Sequence, residues 1–239
     1  MPPNLFVPIV SNNLKDFLER MDFVQNQGYN LELRLDYIRD LKLRDIQIIK
    51  EKLKAKAIAT CRREDEGGLW SFGELERLRA IEKCIEFGFD FVDIELQTAI
   101  ENKNYKLKKS SYVGDGSEVG GGSPSQKQKI ILSHHNFQST PDYSELQKIY
   151  DQMLVFGADI AKICCMPNDI KDLKTIAKFQ KNNSKSKNLC LIGMGELGQM
   201  TRTFNLISGS PINFVLINGQ ESASGQLHIS QIQEILHNL

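Results

Sequence analysis

The sequence predicts a single-domain α/β chain closed into a parallel eight-stranded barrel, the TIM (β/α)8 architecture. Two observations carry this. Eight short apolar runs recur along the 239 residues, and most are separated by segments of helical periodicity. The total length then suits a closed barrel, typically about 250 residues, better than an open sheet.

In chain order the strand-like runs occupy residues 5–10, 30–35, 57–61, 91–96, 129–133, 160–164, 189–193 and 212–217. Between them, Leu14, Phe17, Leu18 and Met21 share one helical face, as do Leu146, Ile149, Tyr150, Met153 and Leu154. Residues 142–156 are entered through Thr140-Pro141 and closed by Gly157, a well-marked helix. Pro8 fits poorly in a central strand because it has no N–H to give to a ladder. The fourth connection is irregular: residues 100–112 have weak helical character, and the Gly/Ser-rich stretch 113–126 breaks all periodicity. That composition is expected to form a mobile surface loop within a domain spanning residues 1–239. No GxxxxGK[ST] or GxGxxG phosphate cradle occurs there.

Hydrophobic residues make up 41%, enough for one large core. Thirty basic residues balance thirty acidic ones, which argues against nucleic acid or an anionic membrane as the principal partner and favours a small ligand. No run of about 18 apolar residues and no charged-then-apolar leader is evident, so a cytoplasmic protein is expected. The five cysteines form no CxxC pair and are odd in number, as reduced core thiols are. Adjacent Cys164 and Cys165 lack the spacing of zinc ligands, so no metal or cofactor is expected.

Strand alternation turns some charges inward. In residues 31–36 the leucines share one face, and Glu32, Arg34 and Asp36 share the other. The outward face of a barrel must be apolar to meet the helices, so Glu32 and Arg34 point inside, as do Asp93 and Glu95 on the fourth strand. Inward carboxylates need inward cations, which Arg34, Arg62 and Lys162 can supply. An open sheet with one face in water would explain the same alternation. Lys162 lies inside the apolar run Ile160-Ala161-Lys162-Ile163-Cys164. A free lysine has a pKa of about 10.4, and burial beside other cations favours the neutral, nucleophilic amine that attacks carbonyls. A lysine that snorkels to solvent or pairs with a carboxylate is the bland alternative.

The run ending Ser133-His134-His135-Asn136-Phe137 carries the acid–base candidate. If Ile131 and Ser133 face inward, so does His135, while His134 faces the helices. After the last two strands, Arg202 offers a planar fork for a carboxylate and Gln226 an amide for a hydroxyl or carboxylate. Glycines flank both, a pattern that phosphate-binding barrels share.

These residues in this order resemble the type I 3-dehydroquinate dehydratase family of the shikimate pathway, nearly end to end. The similarity rests on Glu32-Leu33-Arg34-Leu35-Asp36, Cys61-Arg62 followed by Glu66-Gly67-Gly68, Ser133 to Phe137, Ile160-Ala161-Lys162-Ile163, Gly195 to Arg202, and Ser222 to Gln226. The resemblance implies a lyase in which Lys162 forms an imine with the ketone of 3-dehydroquinate and His135 is the general acid/base, supported by Glu66. It also implies that Glu32, Arg34 and Arg62 line the hydroxyl side, that Arg202 holds the carboxylate, and that Ser222 and Gln226 come from a closing loop. No cofactor or metal is implied, and homodimers are. Related chains occur fused to a shikimate dehydrogenase, which in a plant would place the protein in the plastid after transit-peptide removal. Ser224 stands where the family commonly has proline, and the 113–126 insertion replaces much of the fourth helix. A class I aldolase or transaldolase would also use a barrel lysine, and a catalytically silent barrel would serve as a binding module.

Overall fold

The computed structural model describes residues 4–102, 128–217 and 224–237. Strands and helices alternate: β1 (Leu5–Ile9), α1 (Leu14–Gln25), β2 (Asn30–Arg34), α2 (Leu43–Glu51), β3 (Ala57–Thr60), α3 (Glu74–Glu86), β4 (Phe91–Glu95), α4 (Leu96–Glu101), β5 (Lys129–Asn136), α5 (Tyr143–Val155), β6 (Ile160–Cys165), α6 (Ile170–Asn183), β7 (Leu189–Gly193), α7 (Gly195–Ser208), β8 (Asn213–Leu216), β9 (Leu227–His228) and α8 (Ile229–His237). Local signals set several helix starts: the side chains of Asn13, Asp142 and Asp169 accept the backbone N–H three residues on and so satisfy donors that helices α1, α5 and α6 leave free.

All eight predicted strands are present. β5 runs three residues further than expected, because His134, His135 and Asn136 continue the register against Ile163, Cys164 and Cys165 although their polarity reads as a loop. The two-residue β9 has too little sequence to show a period. The loop expected over residues 113–126 lies outside the described residues.

The strands form one curled, all-parallel sheet in the order β7-β6-β5-β4-β3-β2-β1-β8-β9. Both faces are buried, which excludes the half-solvated open sheet. Leu31, Leu33 and Leu35 join the apolar layer beneath the helices, with Phe17, Ile46 and Phe179. Phe6, Ile58, Ile131, Ile160 and Phe214 form a separate cluster inside the curl. The expected inward and outward faces are therefore the observed ones. Pro8 lies past the end of the ladder between β1 and β8, which pairs Leu5 with Asn213 and Phe6 with Phe214.

The ring is not stitched all the way round. Among the described residues no ladder joins β7 to β8. The β7 backbone groups facing that gap are instead taken by helix side chains. Gln180 of α6 and Asn205 of α7 both donate to Leu191 O, at 2.8 and 2.7 Å, and Thr201 Oγ1 accepts from Gly193 N–H at 2.8 Å. Cys190 Sγ reaches Ile212 O at 3.4 Å across the gap. Backbone groups buried without partners are costly, so these contacts replace the missing ladder.

α7 can approach so closely only because Gly198 faces Gly193. A Cβ on Gly198 would come within 2.3 Å of the Gly193 carbonyl. Gly198→Ala should therefore destabilise the fold by about 1–3 kcal/mol, as overpacking a tight contact does. Chemical denaturation checks this, and an unchanged midpoint would mean the helix can retreat freely.

Candidate active site

The functional side chains gather at the carboxyl ends of β2 to β6, where barrels build their sites. Lys162 lies in the middle of β6, 5% exposed, with its Nζ 3.0 Å from Asp93 Oδ2 and 3.7 Å from Glu32 Oε1. The Phe214 ring lies 4.7 Å from the same nitrogen. Asp93 is shared. Its Oδ2 also accepts from Arg62 at 2.7 Å, and its Oδ1 accepts from Ser133 Oγ at 2.6 Å. Arg62 donates further to Ser133 Oγ and to Glu95 Oε1, at 2.6 and 3.0 Å.

The expectation of a neutral amine is corrected here. Burial works against the ammonium, but Asp93 and Glu32 outweigh it, with Arg62 countering, and hold Lys162 above its ordinary pKa. The resting lysine is a charged partner of Asp93. Burial likewise disfavours the Asp93 carboxylate, yet Arg62 and then Lys162 keep it well below the usual carboxylate range. A second correction concerns Arg34. It is engaged by Asp36 through two bonds of 2.9 and 2.7 Å and lies 4.6 Å over the Tyr37 ring. Asp36 belongs to a 3-10 turn, Leu35–Tyr37, rather than to the strand. The inward carboxylates Asp93 and Glu95 are thus answered by Arg62 and Lys162, and by Arg77 of α3, which the sequence did not single out.

His135 Nδ1 lies 2.8 Å from Glu66 Oε2, and the His135 backbone N–H donates to the same oxygen at 3.1 Å. Glu66 ends a 3-10 turn, Glu64–Glu66, that bends back sharply at Gly67 and Gly68. A Cβ on Gly68 would meet the Arg62 carbonyl at 2.0 Å, so only glycine closes this turn and aims Glu66 at the histidine. Phe137 stacks alongside the imidazole, 6.2 Å between ring centres. His134 shares the face of Leu132, which packs in the layer beneath the helices, and burial lowers its pKa against the charge of Glu145 on α5.

Burial, then the charges of Arg62 and Lys162, push His135 well below its ordinary pKa. Burial also lifts Glu66 to about 8, against the pull of Arg62. The raised carboxyl lies against Nδ1 of a histidine held neutral, so the proton between them and the ring tautomer are linked.

Glu32, Arg34, Arg62, Glu66, His135, Lys162, Arg202 and Gln226 all line one pocket, together with Cys164, Met166 and Met194. Arg202 projects from α7 and donates to Ser224 O at 3.3 Å. Ser222 lies outside the described residues. Ser133 and Asp93 are the members that the sequence placed inside without giving them a task. Their signal was strand parity. Among the described residues no helix is long and apolar enough to cross a membrane, and all five cysteines are buried and unbridged.

Fold and site together define an α/β barrel with a buried amine and a carboxyl-held imidazole at its strand ends. Within that class the chain belongs to the type I 3-dehydroquinase family, whose sequence model matches residues 5–239. The 3-dehydroquinate dehydratase of Coxiella burnetii strain CbuK_Q154 is 28% identical over 232 residues, covering 97% of this chain and 91% of that protein. That of Methanococcus vannielii is 33% identical over 231 residues, covering 97% of each. The crystal structure of 3-dehydroquinate dehydratase from Geobacillus kaustophilus HTA426 superposes with a TM-score of 0.82 at 25% identity, over 99% of this chain and 91% of that one.

Ionisation of Glu66 should be visible at its neighbour: the His135 ring nitrogen resonances should shift on raising the pH through about 8, followed by nitrogen NMR. Glu66→Gln removes the titrating carboxyl and should abolish that transition. A transition that survives the substitution would assign the proton to another group.

Proposed function

We infer that this chain is a lyase of the shikimate pathway that dehydrates 3-dehydroquinate to 3-dehydroshikimate, and we propose that it does so through an imine at Lys162. The observation that carries the reading is the convergence of Lys162 and His135 on one pocket in a chain that matches the family from residue 5 to 239.

The roles follow from chemistry. The Lys162 amine attacks the substrate ketone once its proton has left, and water departs as the imine forms. The imine draws electrons from the adjacent carbon, so His135 Nε2 can take a proton from it. The resulting enamine expels the hydroxyl one carbon further on, and His135 returns its proton to that leaving group. Hydrolysis of the imine releases the enone and restores Lys162. One water is released in forming the imine, one is consumed in cleaving it, and the net loss is the substrate's own hydroxyl and proton.

The surrounding groups divide the remaining work. Arg202 is suited to the substrate carboxylate, since a planar guanidinium matches two oxygens. Gln226, Glu32 and Arg34 line the same pocket, which supports a role for them at the substrate hydroxyls. Arg62 has donors committed to Asp93, Glu95 and Ser133, which favours a role in holding the carboxylates around Lys162 beside any contact with substrate. Glu66 would act by orienting His135 and exchanging its proton.

Borohydride added during turnover of 3-dehydroquinate should leave a reduced adduct on Lys162, located by mass spectrometry, and Lys162→Ala should form none. An adduct on a different lysine would overturn the assignment, and turnover of sugar phosphates in place of 3-dehydroquinate would restore the aldolase reading.

Arg202→Ala is expected to weaken substrate binding by about 1.5–3 kcal/mol, the range for a hydrogen bond to a charged group. A Michaelis constant unchanged from that of the parent enzyme would remove Arg202 from the carboxylate site.

A further inference from the structure

Arg77 is the largest fully buried side chain of the chain's described residues, yet it belongs to α3, in the helical ring rather than the sheet. Its guanidinium uses all five N–H donors. Nε and Nη2 hold Glu74 at 2.7 and 2.8 Å, Nη2 also reaches Thr98 Oγ1 at 2.6 Å, and Nη1 donates to Cys61 O at 2.8 Å and Glu95 Oε2 at 2.7 Å. Thr98 Oγ1 in turn donates to Glu95 Oε2 at 3.2 Å. So complete a set of bonds on a buried cation fixes it in one geometry.

Two of these bonds bracket Arg62. Cys61 is its chain neighbour, and Glu95 is its carboxylate partner. From the surface inward the groups alternate in sign: Glu74, Arg77, Glu95, Arg62, Asp93, Lys162. Each link is 3.0 Å or shorter. Glu74 is 44% exposed, whereas the Arg77, Glu95, Arg62, Asp93 and Lys162 side chains are at most 6% exposed. Charges in so dry a row are poorly screened.

We propose that Arg77 is a positioning residue for the reaction: by occupying Glu95 it leaves Arg62 free to grip Asp93, and so limits how tightly Asp93 holds the Lys162 ammonium. The proposal rests on the Schiff-base reading above. Without Arg77, Glu95 would draw Arg62 toward itself, Asp93 would turn its charge on Lys162, and the amine would be released only at higher pH. Without Glu74, Arg77 would serve Glu95 alone, Arg62 would be held by Asp93 more firmly, and the shift would run the other way. None of the groups that face Lys162 directly is itself replaced in either variant: Asp93 of β4, Glu32 of β2, Arg62 beyond β3, His135 of β5, Cys164 of β6 and Cys190 of β7.

The test reads imine formation, which isolates Lys162 from the later proton transfers. The rate of borohydride-trapped adduct at Lys162 from 3-dehydroquinate is measured against pH for the parent enzyme, Arg77→Met, Arg77→Lys and Glu74→Gln. Arg77→Met should move the midpoint alkaline by roughly half to one unit, lowering the rate below the midpoint about three- to tenfold, with the Michaelis constant within about twofold. Arg77→Lys, which returns the charge, should recover most of the shift. Glu74→Gln, at a half-exposed position, should move the midpoint toward acid by a smaller amount. A folded Arg77→Met that loses thermal stability but keeps the parent midpoint overturns the proposal. Should Arg77→Met not fold, a Glu74→Gln midpoint that is unmoved or moves alkaline overturns it as well. Absence of any Lys162 adduct in the parent enzyme would instead bring down the Schiff-base reading, and the proposal with it.

Discussion

The site depends on one carboxylate shared by two cations. Asp93 accepts from Lys162 at 3.0 Å and from Arg62 at 2.7 Å, with no solvent beside it to soften either contact. A buried carboxylate with one partner would simply neutralise that partner. With two, its charge is divided, and the geometry of Arg62 decides the share left for Lys162. Strand spacing sets the frame: Asp93 and Ser133 are inward residues of neighbouring strands β4 and β5, and Ser133 pairs in register with Lys162 of β6. The sheet brings these groups within bonding distance without any loop having to fold over them.

Much of this was legible in the sequence because period-two alternation reports directly on faces. Leu31-Glu32-Leu33-Arg34 and Val92-Asp93-Ile94-Glu95 can be satisfied only where an apolar layer lies on one side and paired charge on the other. His135 followed by the same parity, and Lys162 from its isolation in an apolar strand. The pairings themselves were not legible. Arg34 is claimed by Asp36 two residues away, and that choice depends on the 3-10 turn at Leu35–Tyr37, which no periodicity marks. Arg77 sits among glutamates and arginines on α3, where a charge run ordinarily means a solvated face. The charge state of Lys162 was misjudged for a related reason. Neighbouring cations were visible along the chain, but the distance to Asp93 is a property of the assembled sheet.

The two titrating units are arranged in opposite senses. Lys162 is kept protonated by carboxylates, while the Glu66 and His135 pair is made easier to neutralise by burial. Arg62 touches both environments. It supports the Asp93 carboxylate and at the same time disfavours a positive His135. One guanidinium thus separates a cationic amine from an uncharged imidazole in the same pocket, which suits the covalent and proton-transfer steps proposed for them.

The unstitched seam between β7 and β8 divides the wall of the barrel mechanically. The groups assigned to bond-making, Lys162 and His135, stand on strands joined by continuous ladders from β1 to β7. Arg202 rides on α7, the helix whose Thr201 and Asn205 take up β7 backbone groups beside the seam. Across the gap itself, Cys190 Sγ reaches Ile212 O where a ladder would otherwise run. The unladdered side of the wall is therefore the side that carries Arg202, while Lys162 and His135 stand on strands laddered on both edges.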